Sequence, residues 1–357
     1  QKIQLMDSEK KTRLTNLLAI ISPSMQEDNM TNYLLDDWSK IYPDGIKRKD
    51  DIGNIEFSII KDHSFPNIAL VAHSDTICIQ LTFYIGNGKF KFRSVGALPH
   101  MLLGQAIIVI TENGEEIEGV IGFDATSQYG QPKGLIFEDL WIDIIDETKW
   151  ENVSTGDLAV LKPRYNISKN GIITATALDD RLGLFIIGEI IRTIKNTDLP
   201  INLICVATVQ EEVGLRGSAC FKFSQQPDVI IVLDVDYATD IPTPHEDQMG
   251  RLFLGYGPGL QKKADNSPKL RKFIQKVAES RSLPFQISLG RFIYGGTDST
   301  TLQTARECKS NCIANISIPC RYMHSPVETA SLNDVMTAIK IIESFAIDIS
   351  KKSSIGT

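Results

Sequence analysis

NIALVAHSD, residues 67–75, is an unbroken apolar run that stops on two polar residues able to bind a ligand, His73 and Asp75. A strand exposed on one face alternates apolar and polar residues, whereas a continuous run is expected of a strand covered on both faces, as in a parallel sheet. The same grammar recurs in INLICVATVQEE (201–212) and DVIIVLDVD (228–236), and late in the chain in NCIANISIPCRYMHS (311–325). Apolar residues at helical spacing fall between and around these runs, at 180–196, 267–281 and 331–350. Two more helical stretches, 5–21 and 27–42, precede the first strand and are separated by Ser22-Pro23-Ser24. This pattern predicts an α/β fold with a mainly parallel central sheet flanked by helices.

Residues 77–167 read differently. QLTFYIGNGKFKFRSV (80–95) alternates about Gly86-Asn87-Gly88, and QAIIVITENGEEIEGVI (105–121) does so about Asn113-Gly114. Both are hairpin signals. LWIDII (140–145) and DLAVL (157–161) add short strands, with no long amphipathic helix among them. The expected organisation is a catalytic α/β domain from residues 1–76 and 168–357, interrupted by a small all-β, barrel-like insertion at 77–167.

With 357 residues, 37 basic and 44 acidic side chains and a net charge of −7, the composition is that of an ordinary soluble protein. The acidic balance argues against nucleic acid as a partner, and Lys47-Arg48-Lys49 reads as a solvated loop. No apolar run approaches the roughly 18 residues of a membrane span. Six scattered cysteines (78, 205, 220, 308, 312, 320) contain no CxxC pair and read as reduced thiols, which favours a cytoplasmic protein. The first residue is Gln rather than Met, which is also compatible with a removed leader. His63, His100 and His245 have no motif around them and read as surface residues.

Five segments carry the chemistry: VAHSD (His73, Asp75), ALDDR (Asp179, Asp180), QEEVG (Glu211, Glu212), VLDVD (Asp234, Asp236) and RYMHSPVE (His324). Each has a bland reading. A single His after a strand is often structural, a Glu pair often starts a solvated helix, and Asp179-Asp180 could cap the helix that follows. Their shared position is what counts. In an open α/β sheet, ligands bind beyond the carboxyl ends of the strands. Imidazole and carboxylate are the donors of a divalent ion that keeps an exchangeable water.

The ordered set HSD, ALDDRLG, QEEVGLRGS, LDVD, GTDS and RYMHSPVE resembles the glutamyl aminopeptidase and tetrahedral aminopeptidase family of dinuclear zinc exopeptidases. GYGPGL (255–260) and YGGTDST (294–300) are similar to the family pattern as well. The resemblance runs from His73 to Glu328, with the β-insertion in the family's place. It implies two divalent ions per chain, zinc with cobalt or manganese as substitutes, bridged by Asp179. His73 and Asp234 would complete one site, and Glu212 and His324 the other. Glu211 would be the general base, acting on a hydroxide held between the ions, and Asp75 would accept a hydrogen bond from the His73 ring. Asp180, Arg181, Asp236, Asp298 and Arg321 are expected at the periphery, where Arg181 and Arg321 would pair with site carboxylates or, equally, each would make an ordinary structural salt bridge or turn hydrogen bond. The chain departs from the family pattern after HSD, where it continues TICIQ.

The function so implied is removal of N-terminal residues from short peptides. A homo-oligomer, up to a twelve-subunit shell built through the insertion, goes with it. The alternatives are a dimetal carboxypeptidase or N-deacylase on the same scaffold, or a non-catalytic assembly protein.

Overall fold

Asn67–His73, Asn202–Thr208, Val229–Tyr237 and Ile313–Arg321 form the strands that their apolar runs predict, and all four are buried along almost their whole length. These observations come from a computed structural model, which describes residues 6–124, 134, 136–242, 246–290 and 296–351. His245, Tyr294 and Gly295 lie outside the described residues. The four strands are neighbours and run parallel, in the spatial order 202–208, 67–73, 229–237, 313–321. Their carboxyl ends therefore share one edge of the sheet.

Among the described residues the full sheet has 11 strands and is mixed. Ile55–Ile59 and Ile46–Lys49 extend it antiparallel on one side. Glu328–Ser331, Ile172–Ala175 and Tyr165–Ile167 do so on the other. The strand Tyr165–Ile167, which the sequence reading places in the insertion, instead pairs with Ile172–Ala175. Asn170-Gly171, an overlooked Asn-Gly turn signal, lies in the connection between them.

Helices form where the spacing predicts them. The helix Leu178–Lys195 is buried along most of its length because it lies on strands 67–73 and 229–237 beneath three other helices. Those are Ser8–Ala19, Asp28–Ile41 and Leu332–Ile349. Asp7 caps the first of them by accepting the Lys10 N–H at 2.8 Å. Pro268–Ser280 starts with proline behind the capping Ser267. Among the described residues no helix is long and apolar enough to cross a membrane.

The insertion closes into a six-stranded barrel of Ile79–Gly86, Lys89–Ser94, Ala106–Ile110, Glu116–Phe123, Leu140–Ile144 and Leu158–Leu161. Asn87 and Gly88 both have positive φ (49° and 70°), as a two-residue hairpin of the primed type requires. A Cβ on Gly88 would sit 2.1 Å from Nε1 of Trp150, whose indole donates to the Ile144 carbonyl at 2.9 Å. Inward residues such as Leu81, Phe90, Ile107, Ile121 and Ile142 form a core separate from that of the main sheet. Phe90 is 1% exposed. Phe90→Ala should therefore destabilise the barrel by about 3–5 kcal/mol. Urea unfolding followed by fluorescence would measure the loss, and an unchanged midpoint would contradict this core.

The link from main sheet to barrel is the segment TICIQ. Thr76 donates its N–H to the Ser22 carbonyl at 3.0 Å and accepts the Ser24 N–H at 3.2 Å. The break between the first two helices thus anchors the chain as it leaves His73.

Candidate active site

His73, Asp179, Glu211, Glu212, Asp234 and His324 line one cavity of about 150 Å³ at the carboxyl edge of the parallel strands. His73 is the last residue of its strand and 2% exposed. Its Nε2 lies 2.8 Å from Asp179 Oδ1 and 3.9 Å from Asp234 Oδ1. Asp179 turns its other oxygen to the second histidine, with Oδ2 3.4 Å from His324 Nε2. That nitrogen is also 3.2 Å from Glu212 Oε2.

The local chain explains these aims. Asp179 and Asp180 have non-helical torsions ahead of the regular helix, and the peptide bond between them is cis. His324 sits in a turn at φ +62°, just beyond the strand end at Arg321. Asp234 lies within its strand and accepts the Val235 N–H at 2.7 Å.

The electrostatics are those of a cation site. For His324, burial disfavours the charged ring, but hydrogen bonding to Asp179 and Glu212 outweighs it and pushes its pKa up to about 12. Glu212 and Asp234 are pushed up by burial and by the charge of Asp179. Glu212 Oε1, Asp180 Oδ2 and Asp298 Oδ1 are buried without a hydrogen-bond partner among the described residues. Carboxylate oxygens so placed call for positive charge. Among the described residues, two groups each bring their ligand-capable atoms within 4.8 Å of one another: His73, Asp179 and Glu212, and His73, Asp180 and Asp234. The residues present therefore fit divalent metal.

Glu211 belongs to neither group although it lines the cavity. Burial pushes its carboxyl well above the usual range; the charges of Asp234, Glu212 and Asp298 add to this, and His73 opposes it. Asp75 has a wider role than the motif suggests. The nearest oxygen to His73 Nδ1 is the Asp75 backbone carbonyl at 3.2 Å, with the carboxylate at 3.6 Å. The carboxylate itself accepts the Glu211 N–H at 3.0 Å, the Glu212 N–H at 3.1 Å and the Ser24 hydroxyl at 2.7 Å. It seats the Glu-Glu turn from beneath.

The expected periphery divides. Asp180 accepts the Gly183 N–H at 2.9 Å, as a helix cap does, yet it also reaches the His73–Asp234 group. Asp298 accepts the Thr208 hydroxyl at 2.5 Å at the end of a central strand. Asp236 lines the cavity and accepts from Ser288 and Gln261. For both arginines the ordinary structural alternative holds. Arg181 makes no ion pair within 4 Å of a carboxylate among the described residues; it donates to the backbone carbonyls of Ser74 (2.8 Å) and Ile20 (3.3 Å). Its charge still faces Asp75, Asp180 and Asp179 from a fully buried position. Arg321 is engaged by Asp240 instead of a site carboxylate, through Nε to Oδ1 at 2.9 Å and a second contact to Oδ2. Sequence reasoning missed Lys263 and Gln261 on the cavity wall and Glu328 behind it. Gln261 and Lys263 follow GYGPGL, which at least marked their segment.

A parallel-centred α/β sheet with imidazoles and carboxylates converging at its carboxyl edge defines a metal-dependent hydrolase. Residues 53–341 match the family model of M42 glutamyl aminopeptidases. The chain is 30% identical over 289 residues to the lysyl aminopeptidase of Pyrococcus furiosus, covering 78% of this chain and 80% of that protein. Among solved structures it is similar to a TET aminopeptidase from a marine sediment thaumarchaeon (TM-score 0.85, 28% identity, 97% of this chain and 100% of that one). It is also similar to the Pyrococcus horikoshii TET1 peptidase, which can assemble into a tetrahedron or a large octahedral shell (TM-score 0.81, 28% identity, 95% and 99% covered). The chain belongs to the M42 glutamyl aminopeptidase family and is a metal-dependent aminopeptidase.

Proposed function

We propose that this chain removes N-terminal residues from short peptides with two divalent ions, zinc or else cobalt or manganese, shared through Asp179. The observation that carries this reading is the pair of oxygens on Asp179, each facing a different histidine at 2.8 and 3.4 Å. His73 and Asp234 would hold one ion, with Asp180 close by, and Glu212 and His324 the other. When bound, such ions make a water acidic enough to lose a proton near neutrality and polarise the scissile carbonyl. Glu211 would serve as general base and acid, accepting a proton from the attacking water and returning one to the leaving amine, because it reaches the cavity without joining either ligand group. Asp75 fixes the direction in which Glu211 and Glu212 leave the backbone. The free α-amine would be held among the cavity carboxylates, which favour a cation.

The experiment compares one short peptide with its N-acetylated form. The unblocked peptide should be hydrolysed and the blocked one spared, with activity lost on chelation and regained with zinc, cobalt or manganese. Equal hydrolysis of both would overturn this reading in favour of an N-deacylase or a carboxypeptidase.

The barrel is proposed as the module of assembly and substrate access. Its Gly96 (φ +83°) approaches the site so closely that a Cβ there would lie 3.1 Å from His324 Nδ1. A homo-oligomer is proposed from the tetrahedral or octahedral shells of the P. horikoshii TET1 peptidase, and its extension to a dodecameric shell from the dodecamer of the similar PhTET1-12s structure. Free thiols at all six cysteines support a cytoplasmic setting.

A further inference from the structure

Glu328 is buried behind the cavity, 2% exposed, at the first residue of the strand Glu328–Ser331. It is in neither ligand group and does not line the cavity. Its carboxylate nevertheless touches the backbone of two site segments. Oε2 accepts the N–H of Leu178 at 2.7 Å and that of Asp179 at 3.1 Å, while Oε1 accepts the N–H of His324 at 2.8 Å. At Leu178 and Asp179 these are donors that a helix start cannot satisfy within itself. The third belongs to a residue in a left-handed turn off the sheet ladder.

All three partners are donors, so the group that meets them must be acceptor-only at both oxygens. A carboxylate presents lone pairs at both oxygens; burial and the charge of Asp179 push the pKa of the Glu328 carboxyl up to about 8, and the N–H groups of Asp179 and His324 oppose that rise. An amide of the same shape would turn an NH2 against at least one backbone N–H. The strand also fixes where the carboxylate stands, since Glu328 is in register with Ala175, three residues before Leu178. One side chain thus ties the segment that presents Asp179 to the turn that presents His324. The separation it sets is the one between Asp179 Oδ2 and His324 Nε2, 3.4 Å.

We infer that Glu328 is a positioning residue that sets the affinity for the ion shared by Asp179, Glu212 and His324, by holding the backbones of Asp179 and His324 at a fixed separation. This rests on the two-ion reading above. The site on His73 and Asp234 depends on Glu328 only through Asp179, so its ion is affected less.

The test uses the full chain, stripped of metal and titrated with zinc under calorimetry, alongside peptide turnover. In Glu328→Gln one of the two zinc affinities should fall about 10- to 100-fold, as for other groups that orient metal ligands. At subsaturating zinc, kcat should fall while KM holds, and excess zinc should restore it. Glu328→Asp keeps the charge but draws both oxygens back by about 1.5 Å, so it should show the same loss in smaller measure. It serves if the amide variant does not fold. Two wild-type zinc affinities in the folded variant, with only the melting temperature lowered, would overturn the inference. Failure of the underlying reading looks different, because the unsubstituted chain would then bind fewer than two ions or spare the unblocked peptide.

Discussion

Glu211→Gln should retain the metal content of the unsubstituted protein and lose about 10²- to 10⁴-fold in kcat, the range for removing a general acid–base group. The substitution is isosteric and keeps the backbone N–H that Asp75 accepts at 3.0 Å, so the turn carrying Glu212 is undisturbed. What disappears is a single proton acceptor. The prediction separates two roles that adjacent residues could exchange. Glu212 Oε2 lies 3.2 Å from His324 Nε2, whereas Glu211 joins no group of converging ligand atoms. If Glu211 were the ligand, the amide would cost an ion. If it were a bystander, turnover would survive. Metal analysis of the purified variant beside its kcat and KM distinguishes the three cases, with KM expected to change little.

Taken by themselves, Glu211 and Glu212 read only as adjacent acids after an apolar run, and their division into base and ligand comes from the resemblance. The strand ends were more plainly written. IALVA and VIIVL have no polar break that would let a face meet water, and both lie in central parallel strands with ligand-capable residues where the runs stop. The hairpin at Asn87-Gly88 was equally legible, since few other dipeptides take positive φ at both positions. What sequence could not convey is pairing between distant residues. Arg321 stands three residues before His324, which suggested a site role, yet its partner Asp240 is 81 residues away. Arg181 follows two acids in the chain and bonds to carbonyls of Ile20 and Ser74. Glu328 showed only as the last letter of a motif. Its partners are backbone N–H groups, and every residue but proline has one, so residue identity could not reveal them.

Asp75 and Glu328 share a logic that bears on how this site keeps its shape. Neither is a proposed ligand, and each accepts the backbone N–H of at least one residue that is. Asp75 takes those of Glu211 and Glu212, and Glu328 takes those of Leu178, Asp179 and His324. Like charges crowded in a buried site repel one another, and an ion must offset that repulsion. Fixing the ligand backbones beforehand keeps the carboxylates from swinging apart before an ion arrives.

Asp179→Asn should cost the protein at least one ion per chain and about 100-fold or more in turnover, because both proposed sites draw on this one side chain. An asparagine offers a single carbonyl oxygen and an NH2 that repels a cation, so it can serve one ion at most. The loss of several kcal/mol of charge stabilisation at the reacting carbonyl converts to at least two powers of ten in rate. A competing account treats the cluster as a buried histidine–carboxylate network with no metal. In it Asp179 simply pairs with His73 and His324, whose hydrogen bonds and charges hold its carboxyl well below the usual range against the opposing effect of burial. Breaking such a network would lower stability by about 3–5 kcal/mol and leave metal content where it was. The two accounts thus diverge in one measurement, metal per chain after gel filtration into metal-free buffer. Two ions in the parent and one or none in the variant would support the bridge. Equal content in both, whatever the change in melting temperature, would remove Asp179 from the metal site and with it the two-ion reading.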